Sequence, residues 1–329
     1  MNAAMPVADA GVAVRRGQAI DRLRPFGIFI AIVVVALIAA AFVPGFASLD
    51  NARGIVRAIA FVGIVTVGMT LVVIGGKMVD LSVPVAIAAA AIIAIRMQPY
   101  GLPVALACAL FVPLLLGLVN ALICGVLQVN AVVGTLGTAT VGAGMILYFT
   151  NNGEFAYGQN VAFHDIGTTY LAGLPPAAWI MGLAFIGGHL LLKKSRFGAY
   201  LYATGSNYHA ARASGIPVRM VVGTSFVLTS LAGAVTGILL AADANIAAFK
   251  IADGYEFDAL SAVLIGGATL SGGKGSMART LAGVIFVGVV SNVMVLAGAA
   301  YELQLIAKGA LIIVAVALDT RFVSRLRAS

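Results

Sequence analysis

Seven residues, Leu270 to Ser276 (LSGGKGS), set a lysine among glycines, the raw material of a phosphate cradle. Backbone N–H groups of a glycine-rich loop hold phosphate oxygens when the loop runs from a strand into a helix as GxxxxGK followed by Ser or Thr. Here Lys274 is followed by Gly275, the fifth residue before Gly273 is Ala268, and the flanks are long apolar runs. The segment is therefore expected to be a tight turn between membrane helices, where glycine permits positive φ and close backbone approach. Other chemistry is equally thin. His164, His189 and His209 lack metal-ligand spacing. Cys108 and Cys124, if helical, lie about 24 Å apart, too far for a disulfide. No nucleophile–base set or paired carboxylates stand out, so the chain is expected to be no enzyme and to carry no metal or cofactor of its own.

Whatever positions these residues has to be a membrane bundle. The 329 residues are 61% hydrophobic and 10% charged, with a mean hydropathy of +1.07, against about 25% charged residues in soluble proteins. A net charge of +8 would suit nucleic acid, but the basic residues stand in short clusters between apolar runs, with no aromatic–basic surface beside them. Nucleic acid is thereby set aside, and a lipid bilayer is the expected surrounding. A crossing helix needs about 20 apolar residues. That ruler divides the chain into ten spans: 26–46, 55–75, 81–97, 102–127, 131–150, 174–193, 219–243, 256–272, 279–298 and 301–319. The third and eighth are short, and the fourth and fifth are split at Gln128-Val129-Asn130. The apolar run after Arg15, Arg16, Arg22 and Arg24 is longer than the about 7–15 residues of a signal segment, so it is read as a retained first helix. The expected organisation is an all-α polytopic membrane helix bundle, with an N-terminal tail over 1–25, a transmembrane domain over 26–319 and a C-terminal tail over 320–329.

Fifteen of the twenty Lys and Arg fall on one side if the N-terminus is cytoplasmic. The positive-inside rule then places both termini and the loop 193–219 in the cytoplasm. Most acids, including Asp50, Glu154, Asp165, Asp243, Asp253 and Glu256, are left outside. A charge at mid-bilayer costs about 2.5–3.5 kcal/mol. Asp80 is expected at a cytoplasmic turn, Asp258 and Glu302 near outer ends, and Lys308 snorkelling or lining the bundle. This leaves no chain of acids for a proton- or sodium-coupled carrier. Gly134, Thr135, Gly137, Thr138, Thr140, Gly142 and Gly144 on the fifth span support two readings: close helix packing, or a lining of hydroxyls and carbonyls for a polyhydroxylated solute. VVIGGKMVDLS at 72–82 is echoed by VLIGGATLS at 263–271, six crossings later, the pattern of a parallel repeat.

The long polar break from Lys193 to Arg219 has its own grammar. Ser206 or Asn207 can cap a helix start, Tyr208 to Ser214 is a short alanine-rich helix, Gly215 suits the position after its end, and Pro217 prevents continuation. A helix of about 12 Å is marginal alone in water, so packing against a partner is expected to hold it.

Six blocks then stand in order: FASLDN at 46–51, TVGMTLVVIGGKMVDLS at 66–82, GTLGT at 134–138, GSNYHAARASGI at 205–216, GYEFDALSAVLIGGATLSGGKGS at 254–276 and QLIAKGALIIVAVALD at 304–319. Together they resemble the permease subunit of bacterial ABC importers of the ribose/xylose/autoinducer-2 type. The resemblance implies a permease in the bacterial inner membrane for a monosaccharide or related polyol. It would work with a second permease subunit, expected to be an identical copy, ATPase subunits that hold ATP and Mg²⁺, and an extracytoplasmic solute-binding protein. It also implies that the short cytoplasmic helix seats on the ATPase. That role falls to Gly205, Ser206, Asn207, Ala210, Ala211, Arg212, Ser214, Gly215 and Ile216. Candidates for the translocation path or its gating turns are Gly75, Gly76, Asp80, Ser82, Thr135, Gly137, Thr138, Gly266, Gly267, Ser271, Gly272 and Gly273. Nucleosides or branched-chain amino acids remain alternative solutes, and a transporter acting alone remains the rival from another class. Where the family reads GGIDLSVGS, this chain has Lys77-Met78-Val79 before Asp80 and Pro84-Val85 in place of Gly-Ser. The turn is accordingly expected to be longer, and span three to begin at proline.

Overall fold

The computed structural model describes residues 27–151 and 156–327, without side chains at 315 and 318–327. The 1–25 tail with its four arginines, and Glu154, lie outside the described residues. Helices stand in chain order as α1 (Gly27–Phe42), α2 (Leu49–Ile74), α3 (Val83–Arg96), α4 (Leu102–Asn120, continued as a π-helix over Ala121–Val126), α5 (Ala131–Phe149), α6 (Val161–Thr168) and α7 (Pro176–Lys194). They continue as α8 (Arg196–Ser206), α9 (Tyr208–Ala213), α10 (Val218–Ala244), α11 (Tyr255–Ile265), α12 (Met277–Leu296) and α13 (Tyr301–Arg327). Two-residue strands β1 (Ala156–Tyr157) and β2 (Ile246–Ala247) pair antiparallel beside α6 and α10.

Each of the ten expected spans contains a helix, yet ten full crossings are not what the lengths give. Among the described residues, six helices are long and apolar enough to cross: α2, α4 with its π-helical end, α5, α7, α10 and α12. Helices α3 and α11 have 14 and 11 residues. At 1.5 Å per residue they reach about 21 and 16 Å, short of a hydrocarbon core of about 30 Å. The expected eighth span, 256–272, stops at Ile265 because Gly266 caps the helix and Gly267 turns left-handed at φ +83°.

Local chemistry sets the other boundaries. Ser48 accepts a hydrogen bond from the Asn51 N–H at the start of α2, and Asp50 complements the positive end of the helix dipole. Asn130 accepts from the N–H groups of Val132 and Val133 and starts α5, so the split expected at 128–130 is where the chain breaks. Pro84 lies in the first turn of α3, as the longer preceding turn predicts. The expected Tyr208–Ser214 helix is α9, capped by the Asn207 side chain and ended by Gly215 at φ +82°. Residues 196–206, read as part of a loop, form α8 instead, started by the Ser195 hydroxyl accepting from the Gly198 N–H.

The core lies around α2 and α10, which pack on each other and, for α10, on α3 and α4. Glycine lets α3 and α10 touch: a Cβ at Gly237 would collide with the Ile87 carbonyl oxygen. Helix α5 is peripheral, with Val133, Leu136, Val141 and Met145 exposed. Gly137 on that helix has open space around it. Gly237→Ala is accordingly expected to destabilise by about 1–3 kcal/mol through overpacking, whereas Gly137→Ala is neutral or stabilising by up to about 1 kcal/mol through helix propensity. Melting temperatures of the two variants in the same detergent check this.

Candidate functional site

Three of the sequence-derived segments meet at one end of the bundle. Helix α2 ends at Ile74, with the Gly76 N–H donating to the Val73 carbonyl (3.0 Å) and the Lys77 N–H to the Val72 carbonyl (3.2 Å). Helix α11 ends in the same way, Gly267 donating to Leu264 (2.8 Å) and Ala268 to Val263 (3.2 Å). Both are Schellman caps, each closed by a glycine at positive φ. The echo between 72–82 and 263–271 is thus, in physical terms, one cap used twice.

The second turn runs on to join the first. The Gly272 N–H donates to Thr269 (2.9 Å), and the Gly273 N–H donates across to the carbonyl of Ile74 (2.8 Å). The amides of Gly272 and Gly273 are therefore turned to protein carbonyls rather than held open for a phosphate. The elbow between α8 and α9 closes over both turns. A Cβ at Gly205 would run into the Ile74 carbonyl and stand 2.5 Å from the Gly273 nitrogen, and one at Gly76 would lie 3.3 Å from the Gly205 Cα. A Cβ at Gly273 would press on the Ser206 hydroxyl, and one at Gly76 would come within 3.7 Å of the Ser271 carbonyl. The Tyr202 hydroxyl donates to the Gly275 carbonyl (2.9 Å), and burial raises its pKa. Gly75, Gly76, Ser271, Gly272, Gly273, Gly205 and Ser206 are thus brought together. Gly266 and Gly267 sit apart, against Arg279 and Thr280 at the start of α12.

From this knot α9 projects with one side committed. Ala211 is buried, Ile216 packs into the core cluster around Leu71 and Leu201, and His209, Ala210, Arg212 and Ser214 are exposed. Ala210, Ser214 and the Arg212 guanidinium make a low, cationic surface suited to close contact.

Asp80, expected at a turn, stands in the segment between α2 and α3 and is fully buried there. Its Oδ1 accepts from the Ser82 N–H (2.9 Å) and the Ser82 hydroxyl (2.6 Å). The Ser82 Oγ in turn accepts from Asn120 Nδ2 (2.7 Å), and the Asn120 Oδ1 accepts from the Thr138 hydroxyl (2.7 Å). The Thr135 Oγ accepts the Leu81 N–H (3.0 Å). These bonds pin the Asp80 turn to α4 and α5. Asn120 was not singled out from the sequence, although it is the one amide side chain between 102 and 127. Gly137 and Thr138 instead border a cavity of about 840 Å³ among α3, α4 and α5. Its wall is apolar, and its Thr138 and Thr150 hydroxyls donate to Asn120 Oδ1 and the Ile146 carbonyl.

At the opposite end of α2, Arg57 pairs with Asp243 of α10. Asp258, expected near an outer end, is buried and pairs with Lys308 of α13 at 2.9 Å. Lys308 therefore lines the bundle. Among the described residues no group of His, Cys, Asp and Glu could hold a metal ion.

A fold of this kind invites comparison with known proteins. The family model described as branched-chain amino acid transport system / permease component matches residues 51–316. The chain belongs to that family. It is a multi-pass inner-membrane transport component rather than an enzyme. The permease is 34% identical over 296 residues to the ribose import permease protein of Haemophilus influenzae, covering 88% of this chain and 91% of that one. It is 34% identical over 311 residues to the ribose import permease protein of Bacillus subtilis, at 92% and 93% coverage. Against the L-arabinose transport system permease protein of Escherichia coli it is 32% identical over 297 residues, at 89% and 90%. No solved structure matches it.

Two substitutions probe the buried polar groups of the permease. Asn120→Leu removes the donor to Ser82 and one acceptor for Thr138, and is expected to cost about 1–3 kcal/mol for the two buried hydrogen bonds lost, read as a lower melting temperature. Lys308→Met leaves Asp258 as a buried, unpaired charge and is expected to cost about 3–5 kcal/mol. The double variant with Asp258→Leu should recover most of that loss, as a comparison of the two melting curves would show.

Proposed function

We propose that this chain is the permease subunit of an ATP-driven, binding-protein-dependent importer of a monosaccharide or related polyol. The observation that carries the reading is the knot of glycine turns, in which the α8–α9 elbow closes over both gating turns while α9 offers Ala210 and Arg212 to solvent. Full-length similarity to ribose and L-arabinose permeases supports the solute class.

In this reading α9 seats on a separate ATPase subunit through Gly205, Ser206, Asn207, Ala210, Ala211, Arg212, Ser214, Gly215 and Ile216. ATP and Mg²⁺ reside on that partner. Closure of two ATPase subunits moves the elbow, and with it the Gly75–Gly76 and Gly272–Gly273 turns, so that a pair of permease copies alternates between outward and inward access. The network of Asp80, Ser82, Thr135 and Thr138 holds the first turn to α4 and α5. Gly266 and Gly267 hold the second to α12. An extracytoplasmic binding protein delivers solute to the far face. ATP and the loaded binding protein shift the two states only through their differential affinity for them.

A second reading, favoured by the description of the family model, is import of branched-chain amino acids. Binding measurements on the cognate binding protein separate the two: a pentose or hexose should bind, and leucine should not. Chain reconstituted alone in liposomes should show no uptake, whereas uptake by the chain alone would replace this reading with a stand-alone transporter. Charge reversal at the seat, Arg212→Glu, is expected to leave membrane insertion intact and to cut ATPase co-purification at least about tenfold, the size of effect typical when an interfacial charge is reversed. Unchanged co-purification would remove α9 as the contact.

A further inference from the structure

The longer turn that sets this chain apart from the family pattern ends on the coupling helix. Lys77 closes the cap of α2 with its own N–H, and the Val79 N–H then donates back to the Lys77 carbonyl (2.7 Å) around Met78 at φ +62°. That arrangement is a γ-turn, a strained conformation for a residue other than glycine. It fixes the base of the Lys77 side chain, whose Nζ lies 5.8 Å from the centroid of the Tyr208 ring. The distance is within cation–π range. Tyr208 is the first residue of α9, held there by the Asn207 cap. Its hydroxyl accepts a hydrogen bond from Gln128 Nε2. Gln128, at φ +59°, occupies the hinge between the π-helix and α5.

Two routes therefore leave Tyr208. One runs through Lys77 into the turn that carries Asp80. The other runs through Gln128 into α5, where Thr135 and Thr138 take hold of the same turn through Leu81 and Asn120. Gln128 is exposed and Lys77 and Tyr208 are only half-buried, and contacts in such positions add little to folding. Their value lies in what they connect.

We infer that Lys77, Tyr208 and Gln128 form the joint that passes movement of α9 to the Asp80 turn and to α5, which makes Tyr208 a positioning residue for transport. The inference rests on the reading of α9 as the ATPase contact. The test uses the assembled complex of permease, ATPase and binding protein in liposomes, with solute taken up per ATP hydrolysed as the readout. Lys77→Ala and Gln128→Ala are each expected to keep ATPase co-purification and basal hydrolysis, and to lower uptake per ATP at least about fivefold, the lower bound of ordinary coupling between sites. Lys77→Arg, whose guanidinium also stacks on an aromatic face, should restore most of it. Adding Lys77→Ala to Tyr208→Ala should lower the ratio no further than Tyr208→Ala does. Wild-type uptake per ATP in Lys77→Ala and Gln128→Ala would overturn the inference, as would loss of ATPase association in either, or Lys77→Arg as defective as Lys77→Ala. Failure of the seat itself shows separately, as an Arg212→Glu variant that still co-purifies the ATPase.

Discussion

Backbone groups inside a bilayer have no water to pair with, and a helix that stops short leaves up to four of them at each end. Among the described helices α1, α3 and α11 are too short to cross, and the chemistry around α3 and α11 answers that constraint. At the C-terminal ends of α2 and α11, a left-handed glycine folds the chain back so that two N–H groups reach carbonyls of the last turn. At the start of α3, Pro84 has no N–H to satisfy, and the Asp80 carboxylate, one residue before the Leu81–Ser82 entry, lies where the helix dipole favours negative charge. The carbonyl of Ile74 is taken by Gly273 from the other turn. Capping the short α11 therefore ties its turn to the end of α2.

That tie has a mechanical consequence. A turn held by backbone hydrogen bonds and by glycines in van der Waals contact with neighbouring backbone cannot bend gradually. Any side chain at Gly205 or Gly272 would occupy the space of another main chain. The polar network behaves in the same way. Each neutral hydrogen bond contributes only about 0.5–1.5 kcal/mol net, but a buried partner left unmade costs about 1–3 kcal/mol. The Thr138–Asn120–Ser82–Asp80 series is thus favourable when complete and costly when broken in part. Such a region changes by moving as a unit between discrete packings, which is what alternating access asks of a gate.

The features legible in the sequence are those set within a few residues. Asn130, Asn207, Gly215 and Pro84 announce helix ends by their own conformational limits, and the repeated Ile-Gly-Gly announces a repeated cap. The features that escaped it are tertiary. Asn120 finds Ser82 across 38 positions and Lys308 finds Asp258 across 50. Neither partner's position along its own helix reveals that pairing. Lys77 and Asp80 stand three residues apart in one turn, and their order alone does not say which of them is buried. The fold settles it by keeping Lys77 part-exposed at Tyr208 and burying Asp80 among hydroxyl and amide donors. The length of α11 was overestimated because its apolar run continues through the turn that ends it, where Gly266 is buried without being helical.

The same distinction bears on where a polar solute can be recognised. A sugar leaving water must replace most of its hydrogen bonds, so a site for it needs free donors and acceptors. On the fifth expected span, the Thr135 hydroxyl donates to Ala131, that of Thr138 to Asn120 and that of Thr140 to Leu136. The cavity beside Gly137 and Thr138 is apolar. Of the two readings of that small-residue stretch, packing accounts for Gly134 and Gly142, which lie against Ile123 and Val85. The hydroxyls serve to hold the Asp80 turn. Solute discrimination built on these residues would have to break the network that holds the Asp80 turn. This favours a division of labour in which the permease supplies a gated, weakly discriminating passage and the binding protein of the proposed importer makes the choice.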